Sequence, residues 1–202
     1  GPPGSGKTTL LRCIGGHIQP SHGQITLGGI DLKEIDPRQL TTNISLVDQF
    51  PTFFPGTVKE NIEYGIKTKS DNQLEDLLAK FEKFDLLETI ADTLNRNLSS
   101  DARELTGGER KLVAALRSMI TRPKILLLDE PTNSFDAEKE ARFMAMIREE
   151  FQSETIVVAS HRVEALSFVE NLFILKDGKI VAEGPSSKFF NPISSKQQNA
   201  KQ

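Results

Sequence analysis

The chain opens with GPPGSGKTT, which has the spacing G-x-x-x-x-G-K-[ST], with Gly1, Gly6, Lys7 and Thr8 at the specified places. That spacing suits a phosphate. Gly4 and Gly6 lack a Cβ, so their backbone reaches positive φ and can approach a ligand closely. Successive N–H groups then face one concavity and bind phosphate oxygens. The helix that starts near Gly6 adds the positive end of its dipole. Lys7 supplies a point charge for the β- and γ-phosphates, and the Thr8 hydroxyl can ligate Mg²⁺. A glycine-rich loop that opens a helix by chance is the bland alternative. The apolar helical run that follows, with Leu10, Leu11 and Ile14, favours the phosphate loop.

Four further stations carry chemistry. ILLLDEP places Asp129 and Glu130 at the C-terminal end of an apolar strand, where open α/β sheets bind their ligands. An aspartate there can hold Mg²⁺ through water, and a carboxylate beside it can polarise the attacking water. Two acids after a strand also serve as an ordinary helix-cap turn; the loop at residues 1–8 decides for catalysis. Gln49 ends another strand, within reach of a metal ion or a water. His161 ends a third and can donate to a γ-phosphate, although a lone histidine in such a place is more often structural. LTGGER, residues 105–110, precedes a helix: Thr106 is a good N-cap, and Gly107 and Gly108 leave N–H groups bare for an anion. The chain thus has two helix starts fit for phosphate, against the simpler reading of the second as a plain helix start.

The elements that must position these groups alternate. The helix after Lys7 ends at Gly15-Gly16, a C-cap pair. GQITL, residues 23–27, reads as a strand that turns at Gly28-Gly29 and pairs with residues 30–32. Asp36-Pro37 reads as an N-cap with proline at the first helical position. NISLVDQ, residues 43–49, is a buried strand with a polar end. The pattern from about 57 to 120 is helical: Leu74, Leu77, Leu78 and Phe81 share a face behind Ser70 and Asp71 as possible caps, and Leu112, Val113, Leu116 and Ile120 share another. Between them, residues 95–104 are polar and expected to be exposed. KILLLDE, nearly all apolar, suits a sheet covered on both faces. Asp136 caps a helix to about 151, with Phe143, Met144, Ile147 and Phe151 at helical spacing. TIVVAS is another buried strand. LFILKDGKIVAEG is a hairpin turning at Asp177-Gly178. The last dozen residues are polar and read as a loose tail over 191–202.

Strands alternating with helices behind a phosphate loop predict an α/β fold with a parallel sheet. The stretch between Gln49 and Ile125 is too long for one crossover and reads as an inserted helical subdomain. The 202 residues suit one domain, or one with a subdomain. A net charge of −3 gives no electrostatic case for nucleic acid or an anionic membrane surface. The single cysteine, Cys13, excludes an intrachain disulfide and reads as a small core residue. There is no secretory signal and no apolar run long enough to span a bilayer. Trp is absent and Tyr64 is the one tyrosine, so no aromatic platform for stacking bases is evident.

GPPGSGKTT, VDQF, LTGGER, ILLLDEP, NSFD and ASHR follow one another in an order that resembles the nucleotide-binding domain of an ATP-binding cassette (ABC) ATPase, over residues 1 to about 190. The resemblance implies a phosphate-loop NTPase core with a helical signature subdomain and a small antiparallel β part, acting on ATP with Mg²⁺. Gly1, Pro2, Pro3, Gly4, Ser5, Gly6, Lys7, Thr8 and Thr9 resemble the Walker A loop. Gln49 matches the Q-loop glutamine, Asp129 the Walker B aspartate and Glu130 the catalytic glutamate. Asn133, Ser134, Phe135 and Asp136 match the D-loop, and His161 the switch histidine. Leu105, Thr106, Gly107, Gly108 and Glu109 match the signature. Members dimerise head to tail, so the second anion site would serve the partner's ATP. Transport through a membrane domain or subunit, at the cytoplasmic face, is the activity the resemblance implies, and PTFFPGTVKENI resembles the region that meets it.

The chain also departs from the family pattern. Thr106 stands for the usual Ser and keeps a hydroxyl; Glu109 stands for Gln and brings a charge. NSFD stands for the commoner S-A-L-D. The strands that precede Walker A in the family, and the aromatic residue that stacks on adenine, are missing, which implies a fragment of a longer protein with weak ATP binding on its own. A non-transport ABC ATPase of translation or DNA repair, and a nucleotide-binding regulator without turnover, are the competing readings; Lys7, Asp129, Glu130 and His161 together argue against the latter.

Overall fold

Gly6, at φ +98°, turns the glycine-rich loop into the first helix, α1 (Lys7–Ile14). The left-handed backbone there is open to glycine at little cost. The computed structural model describes residues 1–66, 72–87 and 90–190. After α1 come the short antiparallel pair β1 (Thr26–Leu27) and β2 (Ile30–Asp31), then α2 (Pro37–Asn43) and β3 (Ile44–Val47). The strand expected over 23–27 shrinks to two residues, and its pairing with 30–32 stops at Asp31, because Leu32 begins a 3-10 turn and leaves the partner strand only two residues long. Asp36 caps α2 as its sequence predicts, accepting from the Arg38 N–H, with Pro37 at the first turn.

The stretch expected to be helical holds α3 (Val58–Ile62), α4 (Asn72–Lys83) and α5 (Gly107–Met119), but also a two-stranded antiparallel pair, β4 (Gly56–Thr57) with β5 (Asn97–Leu98). That pair corrects the exposed reading of residues 95–104: Leu98 and Ala102 are buried, while their polar neighbours face solvent. On α4, Leu74, Leu77 and Phe81 are buried and Leu78 partly so; Ser70 and Asp71 lie outside the described residues, as does the tail at 191–202. The Arg117 guanidinium on α5 ties this region together, donating to the Asn61 and Thr52 carbonyls at 2.8 Å and lying 4.9 Å from the Phe53 ring.

The remaining elements are β6 (Ile125–Asp129), α6 (Ala137–Glu150), β7 (Thr155–Ala159), α7 (Val163–Leu166) and the hairpin of β8 (Asn171–Lys176) with β9 (Lys179–Pro185). Among the described residues, β3, β6 and β7 form a parallel sheet with β6 in the middle; Leu128 pairs with Val47, and Asp129 with Ala159. Alternate side chains of a strand point to opposite faces. Accordingly Leu126 and Leu128 join one core with α5 and α6, while Leu127 joins Leu11 of α1, Ile44 and Ala159 in another. The apolar run of β6 is thus buried on both sides, as its composition predicts. β7 is not: Thr155 is exposed and residues 156–158 are only half-buried, because among the described residues its one paired neighbour is β6. Cys13 is likewise half-buried rather than a core residue.

Candidate nucleotide site

Parallel pairing puts the C-terminal ends of β3, β6 and β7 at one edge. Gln49 follows β3, Asp129 and Glu130 close β6, and His161 follows β7, so three separate sequence stations converge by topology. Glu130 adopts φ +46°, a left-handed conformation rare outside glycine. Its N–H donates to the Ala159 carbonyl at 2.8 Å, which stitches the turn to β7. The buried carboxylate lies 2.9 and 3.0 Å from His161 Nδ1, with Ser160 Oγ 3.5 Å from one oxygen.

The glycine loop packs beside this pair. Lys7 folds back over it, donating to the Gly1 and Pro2 carbonyls at 2.7 and 3.0 Å, with its ammonium 3.8 Å from Glu130. Nothing lies within 4 Å of where a Cβ on Gly4 would stand; the positive φ of +78° is what asks for glycine there. Gly1 is the opposite case, since a Cβ would meet the Leu175 carbonyl oxygen at 2.2 Å. Gly178 of the hairpin turn donates to the Ser5 carbonyl at 3.2 Å. The last hairpin therefore floors the loop, a role that its turn sequence alone did not disclose. Pro2, Pro3, Gly4 and Thr9 are exposed; Gly6 and Thr8 are half-buried; Ser5 is buried with its hydroxyl unpaired.

Asp129 is buried, and neither carboxylate oxygen has a hydrogen-bond partner. Burial pushes its carboxyl above the ordinary value; the nearby Thr8 hydroxyl and the Lys111 ammonium pull the other way. An unpartnered buried carboxylate is costly, and its two free oxygens beside Thr8 fit a magnesium ion, which prefers one or two carboxylates plus substrate phosphates. Asp129→Asn should therefore stabilise the nucleotide-free protein by on the order of 1 kcal/mol, a few degrees in Tm. Because the native carboxyl is pushed up, the penalty on its charged form is present at neutral pH and fades as pH falls and Asp129 takes up a proton. The gain should shrink on the same path, which melting at two pH values checks.

The second anion station stands apart. Among the described residues, no hydrogen bond or ion pair joins residues 105–109 to residues 1–9. Thr106 caps α5, its hydroxyl accepting from the Glu109 N–H at 3.2 Å, while Glu109 reaches back to the Thr106 N–H at 2.7 Å. Glutamate at 109 thus closes a capping box, with Arg96 3.6 Å away. Leu105 is buried beneath. Gly107 abuts Ser134, 3.3 Å from the position of a Cβ, so residues 107 and 134 pack as one surface. Asp136 caps α6 by accepting from the Lys139 N–H at 2.8 Å. Sequence reasoning passed over two side chains here. Lys111 is a buried cation on the inward face of α5, and Arg162, next to His161, grips the Thr132 and Phe135 carbonyls at 3.0 and 2.9 Å. A charge amid the apolar face of a helix was the available signal for the first.

A glycine-rich loop opening a helix, with acidic and histidine groups at the ends of parallel strands, defines the phosphate-loop α/β class of nucleotide-binding folds. A family model described as ABC transporter matches residues 1–133. The chain belongs to the ABC transporter family and carries its nucleotide-binding domain. It is 32% identical over 191 residues to ABC transporter B family member 1 of Dictyostelium discoideum, covering 95% of this chain and 21% of that protein. It is 30% identical over 188 residues to the mycobactin import ATP-binding/permease protein IrtB of Mycobacterium bovis, covering 93% of this chain and 32% of that protein. The solved structure of a bacterial Atm1-family ABC exporter with ATP bound matches the fold with a TM-score of 0.85 at 23% identity, over 93% of this chain and 33% of that one. The chain thus spans a third or less of the relatives it matches.

Proposed function

We propose that this chain is the ATP-binding and ATP-hydrolysing part of an ABC transporter, working at the cytoplasmic face of a membrane with a second ABC domain and a membrane-spanning domain or subunit. What carries the assignment is the meeting of Glu130, His161 and Lys7 at one strand edge beside the glycine loop. Gly1–Thr9 cradle the phosphates through backbone N–H groups and the start of α1. Lys7, whose ammonium rests on the Gly1 and Pro2 carbonyls, exchanges them for phosphate oxygens. Thr8, Asp129 and, from the strand end beside them, Gln49 would hold Mg²⁺, which neutralises charge on the β- and γ-phosphates when bound. Glu130 takes the proton of the attacking water, and His161 holds that carboxylate in place and reads the terminal phosphate. Leu105–Glu109 of one copy, with Asp136 nearby, face the nucleotide held by the other. Relatives named as transporters favour transport over the non-transport readings.

Replacing Lys7 tests the phosphate loop. Charge-assisted hydrogen bonds are worth about 1.5–3 kcal/mol, so Lys7→Met in the full-length protein should weaken ATP binding roughly 10- to 100-fold. An unchanged Kd for ATP in equilibrium binding would remove Lys7 from the site.

A further inference from the structure

We propose that Lys111 is a positioning residue: it holds the backbone of Glu130 and of the loop after β3 in register and ties both to the Thr106–Glu109 helix tip. This rests on the reading of Glu130 as the general base. Lys111 is 4% exposed. Its ammonium donates to the Gln49 carbonyl at 2.6 Å and the Glu130 carbonyl at 3.1 Å, and stands 3.5 Å from the Asp48 carbonyl. An ammonium has three donors, and here all three aim at main-chain oxygens of two candidate catalytic loops. Among the described residues, no carboxylate forms an ion pair with it.

A buried cation is expensive, and burial lowers the affinity of Lys111 for its proton, against the attraction of Asp129, Glu130 and Asp48. A methionine would fill the same space on α5 without that cost, so packing alone does not account for the charge. The Glu130 backbone does. Its left-handed φ is one that L residues avoid. The turn is pinned on both sides, by the Glu130 N–H on Ala159 and by Lys111 on the Glu130 carbonyl. Without Lys111 the carbonyl is free, the turn can relax, and the carboxylate leaves its place against His161. Lys111 also lies two residues beyond Glu109 on α5, one turn on from Gly107 at the helix tip. A displacement of that tip therefore reaches the Gln49 and Glu130 backbone through one side chain.

The test is a double-mutant cycle in the full-length protein. Lys111→Met and Lys111→Gln are each made with Glu130 intact and with Glu130→Gln, and read by single-turnover hydrolysis, equilibrium ATP binding and thermal unfolding. Lys111→Met should slow hydrolysis about tenfold or more with the Kd for ATP changed less than about threefold. Lys111→Gln, whose amide still donates to a carbonyl, should recover part of the rate. In the Glu130→Gln background Lys111→Met should cost the residual rate clearly less than it costs the parent, because the part of its effect that passes through Glu130 is already gone. An equal loss in both backgrounds, or a lowered melting temperature with a normal rate per folded molecule, makes Lys111 a structural residue and overturns the assignment. If Glu130→Gln alone leaves hydrolysis intact, the general base is wrong and the role of Lys111 goes with it; that result differs from a normal Lys111→Met rate beside a dead Glu130→Gln. Should Lys111→Met not fold, the Lys111→Gln cycle decides by the same comparison.

Discussion

Glu130→Gln in the full-length protein should lower ATP turnover by about 10²–10⁴-fold, the range for losing a general base, while ATP affinity stays within a few-fold. The amide is nearly isosteric with the carboxylate. It can keep a hydrogen bond near His161, 2.9 Å away in the parent, and so need not disturb the turn at φ +46°. What it loses is the capacity to take a proton. The ammonium of Lys7, 3.8 Å from the carboxylate, also loses a counter-charge, which leaves it freer for phosphate. Binding should hold or tighten while chemistry stops. Rapid-quench hydrolysis and equilibrium nucleotide binding on one preparation separate the two, and a variant that turns over at the parent rate would show that another group accepts the proton.

The second large effect belongs to stability. Arg162 lies one residue past His161, and its guanidinium clamps the loop between β6 and α6 through the Thr132 and Phe135 carbonyls. Its other nitrogen stands 2.8 Å from Glu140, whose side chain is 0% exposed and also accepts from the Thr132 hydroxyl. Arg162→Met leaves that carboxylate buried without its cation. Breaking a buried pair in this way costs about 3–5 kcal/mol, roughly 10 °C for a domain of this size. Removing both charges is a different matter, since apolar replacement of a whole buried pair is often neutral. Arg162→Met with Glu140→Leu should therefore recover part of the loss in thermal unfolding, the remainder being the Thr132 hydroxyl and the two carbonyls that lose their partners. If the single variant melts within a degree or two of the parent, the pair is not the support that its burial implies.

Local chemistry was readable in advance where a residue acts on its own neighbours. Asp36, Thr106 and Asp136 cap the helices they precede, because an N-cap needs only the next three N–H groups. The apolar run of β6 announced burial on two faces because composition alone demands it. The convergence of Gln49, Asp129, Glu130 and His161 needed only the rule that parallel strands present their ends together. Long-range partners were not readable. Lys111 and Arg162 earn their places from carbonyls 62 and 30 residues away, and nothing in their own neighbourhood marks those partners. The burial of Leu98 follows from pairing with Gly56, and the half-exposure of β7 from having β6 as its one paired neighbour among the described residues. Both are properties of the assembled sheet. The left-handed turn at Glu130 is the sharpest case: residue type argues against it, and surrounding hydrogen bonds impose it.

The hairpin that floors the glycine loop has a consequence for biosynthesis. Gly1 leans on Leu175, and Ser5 receives a hydrogen bond from Gly178, so the two halves of one small structure are translated some 170 residues apart. On a ribosome adding about 5–20 residues each second, the loop emerges many seconds before the hairpin that completes it. During that interval the loop lacks its contacts with Leu175 and Gly178, and a chaperone or the ribosome surface has that window in which to hold it.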